Sequence, residues 1–387
     1  PLVKFQPAED GKEEAAGGIG EEDLVYITLP YISSAREGVI RLGSLLEKYG
    51  TYEMNGIAFQ DVNEIWWLET IGGHHWIARK VPDDVYVMMP NQFGMDQFDL
   101  EDALSNQKEY MCSADLKEFV EKYHLNLSQD GTFNPRDIFG SHDDSDHVYN
   151  TPRAWYMARC LNPSTMNWDG PDADFTPLSD DIPWCMVPEK KVTIEDVKYV
   201  LSSHFQGTPY DPYASYGDKS MKGPYRAIGV NRTEFLGIIQ MRPDAGEDSR
   251  AIEWVAFASN VFNTAAPFYT DVEKVPEYFS NTTGDASTDN FYWASRMIAA
   301  MADASYSKSI FHIERYQERV MSKGHEYINQ YDELLAKESN AEKRMQLRQE
   351  ANEKIADMVK KETQDTLNKV LYELSNQMKN AYSRSDA

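Results

Sequence analysis

Cysteine is nearly missing from this sequence: three residues in 387, Cys112, Cys160 and Cys185, with no CxxC spacing among them. An odd, scattered set excludes a disulfide framework and a zinc ribbon, and it suits a reducing compartment. Long apolar runs are missing too. No stretch approaches the roughly 20 apolar residues that a bilayer-spanning helix needs, and the opening PLVKFQPAEDGKEE has neither a basic n-region nor an apolar h-region. Basic side chains are in deficit: 38 Lys and Arg stand against 63 Asp and Glu, a net charge of −25. A field of that sign repels phosphate backbones and anionic lipid alike, so nucleic acid and membrane are poor partners; with cysteine usage that suits a reducing compartment, a cytoplasmic location is expected. Self-contained catalytic signatures are also lacking. Gly17-Gly18-Ile19-Gly20 has no clear preceding strand and no Lys-Ser/Thr ending, so it is not a phosphate loop, and no GxSxG elbow occurs.

What is present is organised around residues 55–91, NGIAFQDVNEIWWLETIGGHHWIARKVPDDVYVMMPN. Apolar runs at Gly56–Gln60, Ile65–Ile71, His75–Val81 and Val85–Met89 are divided by turn chemistry at Asp61–Asn63, Gly72–Gly73 and Pro82–Asp84, which predicts a meander of antiparallel strands. Ile65-Trp66-Trp67-Leu68 is apolar at consecutive positions, so both faces of that strand are expected to be covered and the sheet sandwiched.

The flanking chain is read in order. Leu24–Ile32, interrupted by Pro30, is open between strand and buried helix. Val39, Ile40, Leu42, Leu45, Leu46 and Tyr49 share one helical face, with Ser33 or Ser34 as cap and Gly50 as stop. Ser113–Tyr123, Thr151–Leu161 with Pro152 in its first turn, and Thr193 to about Phe205 read as helices. Long Asp-, Pro- and Gly-rich excursions lie between them. A second β block is expected at Tyr225–Val230, Glu234–Met241 and Ile252–Ser259. From Phe291 to Met378 apolar residues recur at three-to-four spacing with charged faces of mixed sign, which predicts long amphipathic helices forming a packed layer or a homo-oligomer interface. The expected organisation is therefore α+β: a linker or loop at 1–20, a core at 21–285 with long surface insertions, and a helical layer at 286–387.

Candidate chemistry is sparse. His74 and His75 point to opposite faces if they lie in a strand, which disfavours a shared metal. SHDDSDH offers His142, Asp143, Asp144, Asp146 and His147, but its spacing matches no EF-hand loop or HExxH helix, and a solvated acidic turn is the plainer reading. No metal and no cofactor are expected.

Four ordered blocks carry a resemblance: EKYGTYEMNGIAFQDVNEIWWLETIGGHHWIARKVPDDVYVMMPNQ, SSHFQGTPYDPY, PYRAIGVNRT and EWVAFASNVFNTAAPFY. Together they resemble the bacterial dipeptidase A family of cysteine peptidases, related to penicillin V acylase and bile salt hydrolase among the N-terminal-nucleophile hydrolases. The likeness implies a four-layer αββα sandwich of two antiparallel sheets. It implies dipeptide hydrolysis by a cysteine that becomes the first residue after processing, whose α-amino group serves as the base. In that scheme Asn91 matches the asparagine that holds the oxyanion. Arg226 matches an arginine bordering the nucleophile, with Arg232 as runner-up, placed to steady a thiolate or grip a substrate carboxylate. Glu69, Thr70, His204 and Tyr210 fall within the blocks and are expected, with Arg232, to line the dipeptide pocket.

One departure from the family matters. Its nucleophilic cysteine is expected before Pro1, on an N-terminal segment that acts as a companion of this chain. Cys112 and Cys185 read as lying in polar surroundings and Cys160 as ending a helix; none begins a strand at a terminus. This chain alone is accordingly expected to be inactive, with sheet edges uncovered where the missing hairpin belongs. Two other readings stay open: a nucleophile-less binding or assembly protein on the same scaffold, and a metal-dependent hydrolase around the His and Asp loop.

Overall fold

The computed structural model describes residues 18–379 with the exception of residue 142. Residues 1–17, most of the expected linker, lie outside the described residues, as does His142. The described chain divides between Lys191 and Val192 into two units, each with its own core.

The first unit begins with α1 (Glu21–Thr28), which runs into a short 3-10 turn at Leu29–Tyr31 and so resolves the ambiguous segment as helix. In α2 (Ala35–Tyr49), Ser34 accepts a hydrogen bond from the Glu37 N–H at 3.2 Å, and Gly50, at φ +72°, ends the helix where a Cβ is strained. The helix lies on a four-stranded antiparallel sheet of order β1 (Gly56–Gln60), β2 (Ile65–Gly72), β3 (His75–Lys80) and β5 (Tyr110–Cys112). A Cβ on Gly43 would sit 2.2 Å from the Trp76 ring, so this glycine is what lets helix and sheet approach. Val39, Leu42 and Leu46 meet Trp66, Leu68 and Ala78 on that face. Ile71 and Ile77 face a second cluster with Phe93, Met95, Leu116 and Trp184. Both faces of the IWWL strand are covered, as its consecutive apolar residues require.

The fourth strand of the meander is short. β4 (Tyr86–Val87) pairs only with β6 (Cys185–Met186), because Pro90 and the backbone bond from Met88 N–H to Trp184 O turn the chain away. Between them come α3 (Leu100–Leu104), α4 (Leu116–Lys122), α5 (Pro135–Phe139), α6 (Asp146–Tyr149) and α7 (Thr151–Leu161).

The second unit opens with α8 (Ile194–Leu201), started by a reciprocal capping box between Thr193 and Asp196. It stops four residues before the expected end. The Phe205 N–H turns to Ser203 Oγ at 3.2 Å and Phe205 takes φ +66°. Its antiparallel sheet is β7 (Phe235–Met241), β8 (Ala251–Phe257) and β9 (Ala266–Tyr269). The expected strand at Tyr225–Val230 is corrected: the segment is irregular. Pro224 opens it, and the Gly229 N–H is spent on Ser203 O at 2.8 Å instead of a ladder. Ala266–Tyr269 supplies the third strand.

After α9 (Glu277–Ser280), the long helices α10 (Phe291–Ala304), α11 (Tyr306–Leu335) and α12 (Ala341–Ser375) cover that sheet. The pairs His312–Glu373, Tyr316–Thr363 and Tyr331–Glu350 run in opposite directions along α11 and α12, so these two form an antiparallel hairpin. Their apolar stripes join Trp254 and Tyr269 in one core. The whole is a mixed α+β chain with antiparallel sheets, and no helix among the described residues is long and apolar enough to cross a membrane.

Candidate functional site

The loop at Asn91, after β4, is held by side-chain hydrogen bonds from several elements of the first unit. Asn91 is exposed while its neighbour Pro90 is buried, so the side chain stands at the surface on a fixed base. Its Oδ1 accepts a hydrogen bond from Arg153 Nη2 at 2.9 Å. Arg153, only 8% exposed on α7, also donates to Asn150 Oδ1 at 2.8 Å and to Tyr149 O.

The backbone just beyond Asn91 is pinned by Glu69 and Arg136. Glu69, on β2, accepts from the Gly94 N–H at 3.1 Å, the Met95 N–H at 3.2 Å and Trp67 Nε1 at 2.9 Å. Arg136 donates to Gly94 O through Nε at 3.1 Å and Nη2 at 2.7 Å, and to Ile182 O at 2.8 Å. Gly94 is thereby held at both its N–H and its C=O. A Cβ there would fall 2.8 Å from the Trp184 ring, which leaves no room for a side chain. Burial pushes the Glu69 carboxyl up to about 7, against the opposing pull of its three N–H donors and of Arg136. Glu69, expected to line a pocket, is thus placed as the anchor of the Asn91 loop. Thr70 is buried beside it, its Oγ1 accepting from the Asn55 N–H at 2.7 Å and donating to Glu53 O at 3.1 Å.

In the second unit His204 is buried, with Nδ1 2.9 Å from Asp211 Oδ1 and Nε2 3.1 Å from the Tyr306 hydroxyl. Both ring nitrogens are therefore committed inside the protein. Tyr210 is half-buried and packs edge-on against Tyr225 at 5.0 Å, next to Arg226 in sequence. Arg226 is half-buried, and its Nε has no hydrogen-bond partner among the described residues; neither has its guanidinium an ion pair there. A guanidinium placed so has donors to spare for a carboxylate or a thiolate. Arg232 is exposed.

The three thiols are set against nucleophilic use. Cys112, expected in polar surroundings, is instead buried in the apolar cluster with Ile77, Leu116 and Val120, and burial pushes its thiol up to about 12. Cys160, in the last turn of α7, is pushed up to about 11, and half-buried Cys185 is raised as well, both by desolvation. Cys185 also packs against the same apolar cluster, which corrects its expected polar setting. A thiol raised in this way stays protonated near neutrality and is a poor nucleophile.

The two histidines are separated by the hairpin and not by strand alternation, because only His75 lies in a strand. His74 sits in the hairpin turn and meets the carbonyls of Leu46 and Glu47 at the end of α2, while His75 is buried, stacked on Phe119. Burial lowers the His75 pKa, so the ring is neutral. No group of three or more His, Cys, Asp or Glu side chains suited to a metal occurs among the described residues. A surface cavity of about 600 Å³ is built by residues 126–138 alone and contains none of the expected site residues.

Sequence reasoning missed Arg153, Asn150, Asp146 and Arg136 as partners of this loop. Asp146 was seen only as part of an acidic turn, yet it is 3% exposed and accepts from Ser141 Oγ and Asn150 Nδ2. A weak signal was present: Asn150-Thr151-Pro152-Arg153 starts a helix with a proline in its first turn, which fixes where the arginine points.

A family model described as Peptidase family C69 matches residues 1–319. The chain is 51% identical to a "Dipeptidase" of Bifidobacterium longum, over all of this chain and 80% of that protein. It is 51% identical to a "Probable dipeptidase A" of Streptococcus pyogenes serotype M1, over 96% of this chain and 75% of that protein. It is 38% identical to a "Dipeptidase A" of Lactobacillus helveticus, over 96% of this chain and 75% of the relative.

Proposed function

Since the chain belongs to peptidase family C69, we propose that it is the scaffold of a cysteine-type dipeptidase whose nucleophilic thiol lies outside residues 1–387. The observation that carries this reading is the match along the chain to a peptidase family whose relatives are named dipeptidases. The three protonated thiols support the placement of the nucleophile elsewhere.

The proposed chemistry is acyl transfer. A cysteine thiolate attacks the peptide carbonyl carbon, with its own α-amino group taking the thiol proton; the carbonyl π pair moves to oxygen; the C–N bond breaks as the leaving amine takes a proton; water then cleaves the thioester to release the acid and restore the thiol. Asn91 serves this scheme through its side-chain N–H bonds, which face away from Arg153 and are available to a developing oxyanion. Arg226 serves it as an unspent guanidinium for the thiolate or for the substrate's terminal carboxylate. Glu69 and Arg136 keep the Asn91 loop rigid. The αββα sandwich belongs to the same proposal.

The test uses the complete gene product carrying Cys112→Ser, Cys160→Ser and Cys185→Ser together. It is expected to cleave dipeptides at close to the wild-type rate, to lose activity on thiol alkylation and to keep it in a chelator. Loss of alkylation sensitivity in the triple variant would place the nucleophile among these three and overturn the reading. Inactivation by the chelator alone would favour a metal-dependent hydrolase.

A further inference from the structure

The hydrogen bonds from Asp146 to Asn91 form a chain in which each group dictates the orientation of the next. Asp146 is an acid buried at the start of α6, and as a carboxylate it only accepts. Asn150 therefore turns its Nδ2 toward Asp146 and its Oδ1 outward. That oxygen accepts from Arg153 Nη2 at 2.8 Å. A guanidinium only donates, so Asn91 in turn presents its Oδ1, at 2.9 Å, to the same nitrogen. Both N–H bonds of the Asn91 amide are left facing away from the arginine. An asparagine amide is otherwise free to rotate by half a turn, which exchanges donor for acceptor. Here that rotation places an NH2 against a guanidinium.

We propose that Arg153 is a positioning residue that holds the Asn91 amide with its donors toward the reacting carbonyl, and that Asp146, through Asn150, fixes Arg153 in that role. The inference rests on Asn91 being the oxyanion donor. Two further facts make the arginine suited to it. Its Nε donates to Tyr149 O, so the guanidinium plane is held from two sides. The backbone of the Asn91 loop is independently pinned at Gly94 by Glu69 and Arg136, so what Arg153 adds is the orientation of the side chain and not the place of the chain. Reversed, the amide would present its oxygen to a developing negative charge and repel it. Asp146, one of the acids of the SHDDSDH turn, then has a purpose: it sets the direction of the chain.

The experiment is a double-mutant cycle on the complete gene product, nucleophile included, with kcat and KM measured separately for one dipeptide. Arg153→Met is expected to lower kcat about 10- to 100-fold, somewhat less than loss of the donor itself, with KM within about threefold and an unchanged rate of alkylation of the nucleophile. Arg153→Lys, which keeps a donor for the Asn91 oxygen, is expected to recover part of the loss. The Asn91→Ala/Arg153→Met double variant is expected to be no slower than Asn91→Ala alone. An equal further fall on the Asn91→Ala background would overturn the inference while leaving the oxyanion reading intact. An undiminished kcat in Asn91→Ala would instead remove the oxyanion reading and this inference with it. Should Arg153→Met fail to fold, Asp146→Asn asks the same question with little change of shape: its amide frees Asn150 to turn, and a fall in kcat that disappears on the Asn91→Ala background is expected. A fall that persists there overturns the proposal.

Discussion

Glu69 shows how a single buried group ties stability to pH in this protein. It is 1% exposed, and burial lifts its carboxyl from the ordinary 4.5 to about 7. The folded state therefore binds the Glu69 proton more tightly than the unfolded chain does, and stability falls as pH rises between those two values. The contribution is fully present below about 4.5 and lost as pH passes through 7; the whole span amounts to about 3 kcal/mol at 1.36 kcal/mol for each unit. Glu69→Gln keeps an acceptor for one of the loop N–H groups and does not titrate. Urea unfolding of both proteins at pH 5 and pH 8 is expected to show the wild type losing about 2.5 kcal/mol more than the variant across that interval, pH 5 lying already above the unfolded value. Equal losses would mean that Glu69 stays ionised throughout, held by its Gly94, Met95 and Trp67 donors. The site was partly legible at this scale. Asn91 is a candidate only through the resemblance in its VMMPN context, and the arginine it bonds lies 62 positions away on another element, which no local spacing encodes.

Among the elements, the strand β9 was the hardest to foresee and is the most instructive. At four residues it is short, and its sequence Ala-Pro-Phe-Tyr has no alternation, because all four positions are buried. On its open side the helix α12 replaces a partner strand. Asn352 Oδ1 accepts from the Tyr269 N–H at 2.9 Å, and Asn352 Nδ2 donates to Tyr269 O at 3.0 Å, so one side chain imitates a strand residue. Asn352→Ala is expected to cost about 2 kcal/mol in urea unfolding, since a buried N–H and a buried C=O both lose their partner. Asn352→Asp should cost more, because a second acceptor then faces the Tyr269 carbonyl. A cost below about 0.5 kcal/mol for the alanine variant would show that other groups close the strand edge. The elements that sequence did disclose have strong local causes. Ile65–Gly72 is a β-branched and aromatic run bounded by turns, and Ala35–Tyr49 has a serine cap and a glycine stop. Tyr225–Val230 has the composition of a strand but lies after Pro224 and gives its Gly229 N–H to Ser203, a tertiary contact that overrides propensity.

At the scale of the molecule, the net charge of −25 bears on which substrates arrive. A dipeptide with neutral side chains is a zwitterion of no net charge, one with a lysine carries about +1 and one with a glutamate about −1 at neutral pH. An acidic field raises the local concentration of the first charged kind and lowers that of the second, whether encounter or a prior binding equilibrium limits kcat/KM. Salt removes the effect, as the screening length shrinks from about 30 Å at 0.01 M to about 10 Å at 0.1 M. Raising ionic strength over that interval is therefore expected to lower kcat/KM for lysine-containing dipeptides several-fold, to raise it for glutamate-containing ones and to leave neutral ones within about twofold, with kcat steady for all three. Arg226 carries a local charge of the opposite sign, but the terminal carboxylate is common to every dipeptide, so a cation directed at it would not distinguish the three. If all three respond alike to salt, the reacting centre is shielded from the field of the chain, and the groups that meet the dipeptide's side chains decide which dipeptides are taken.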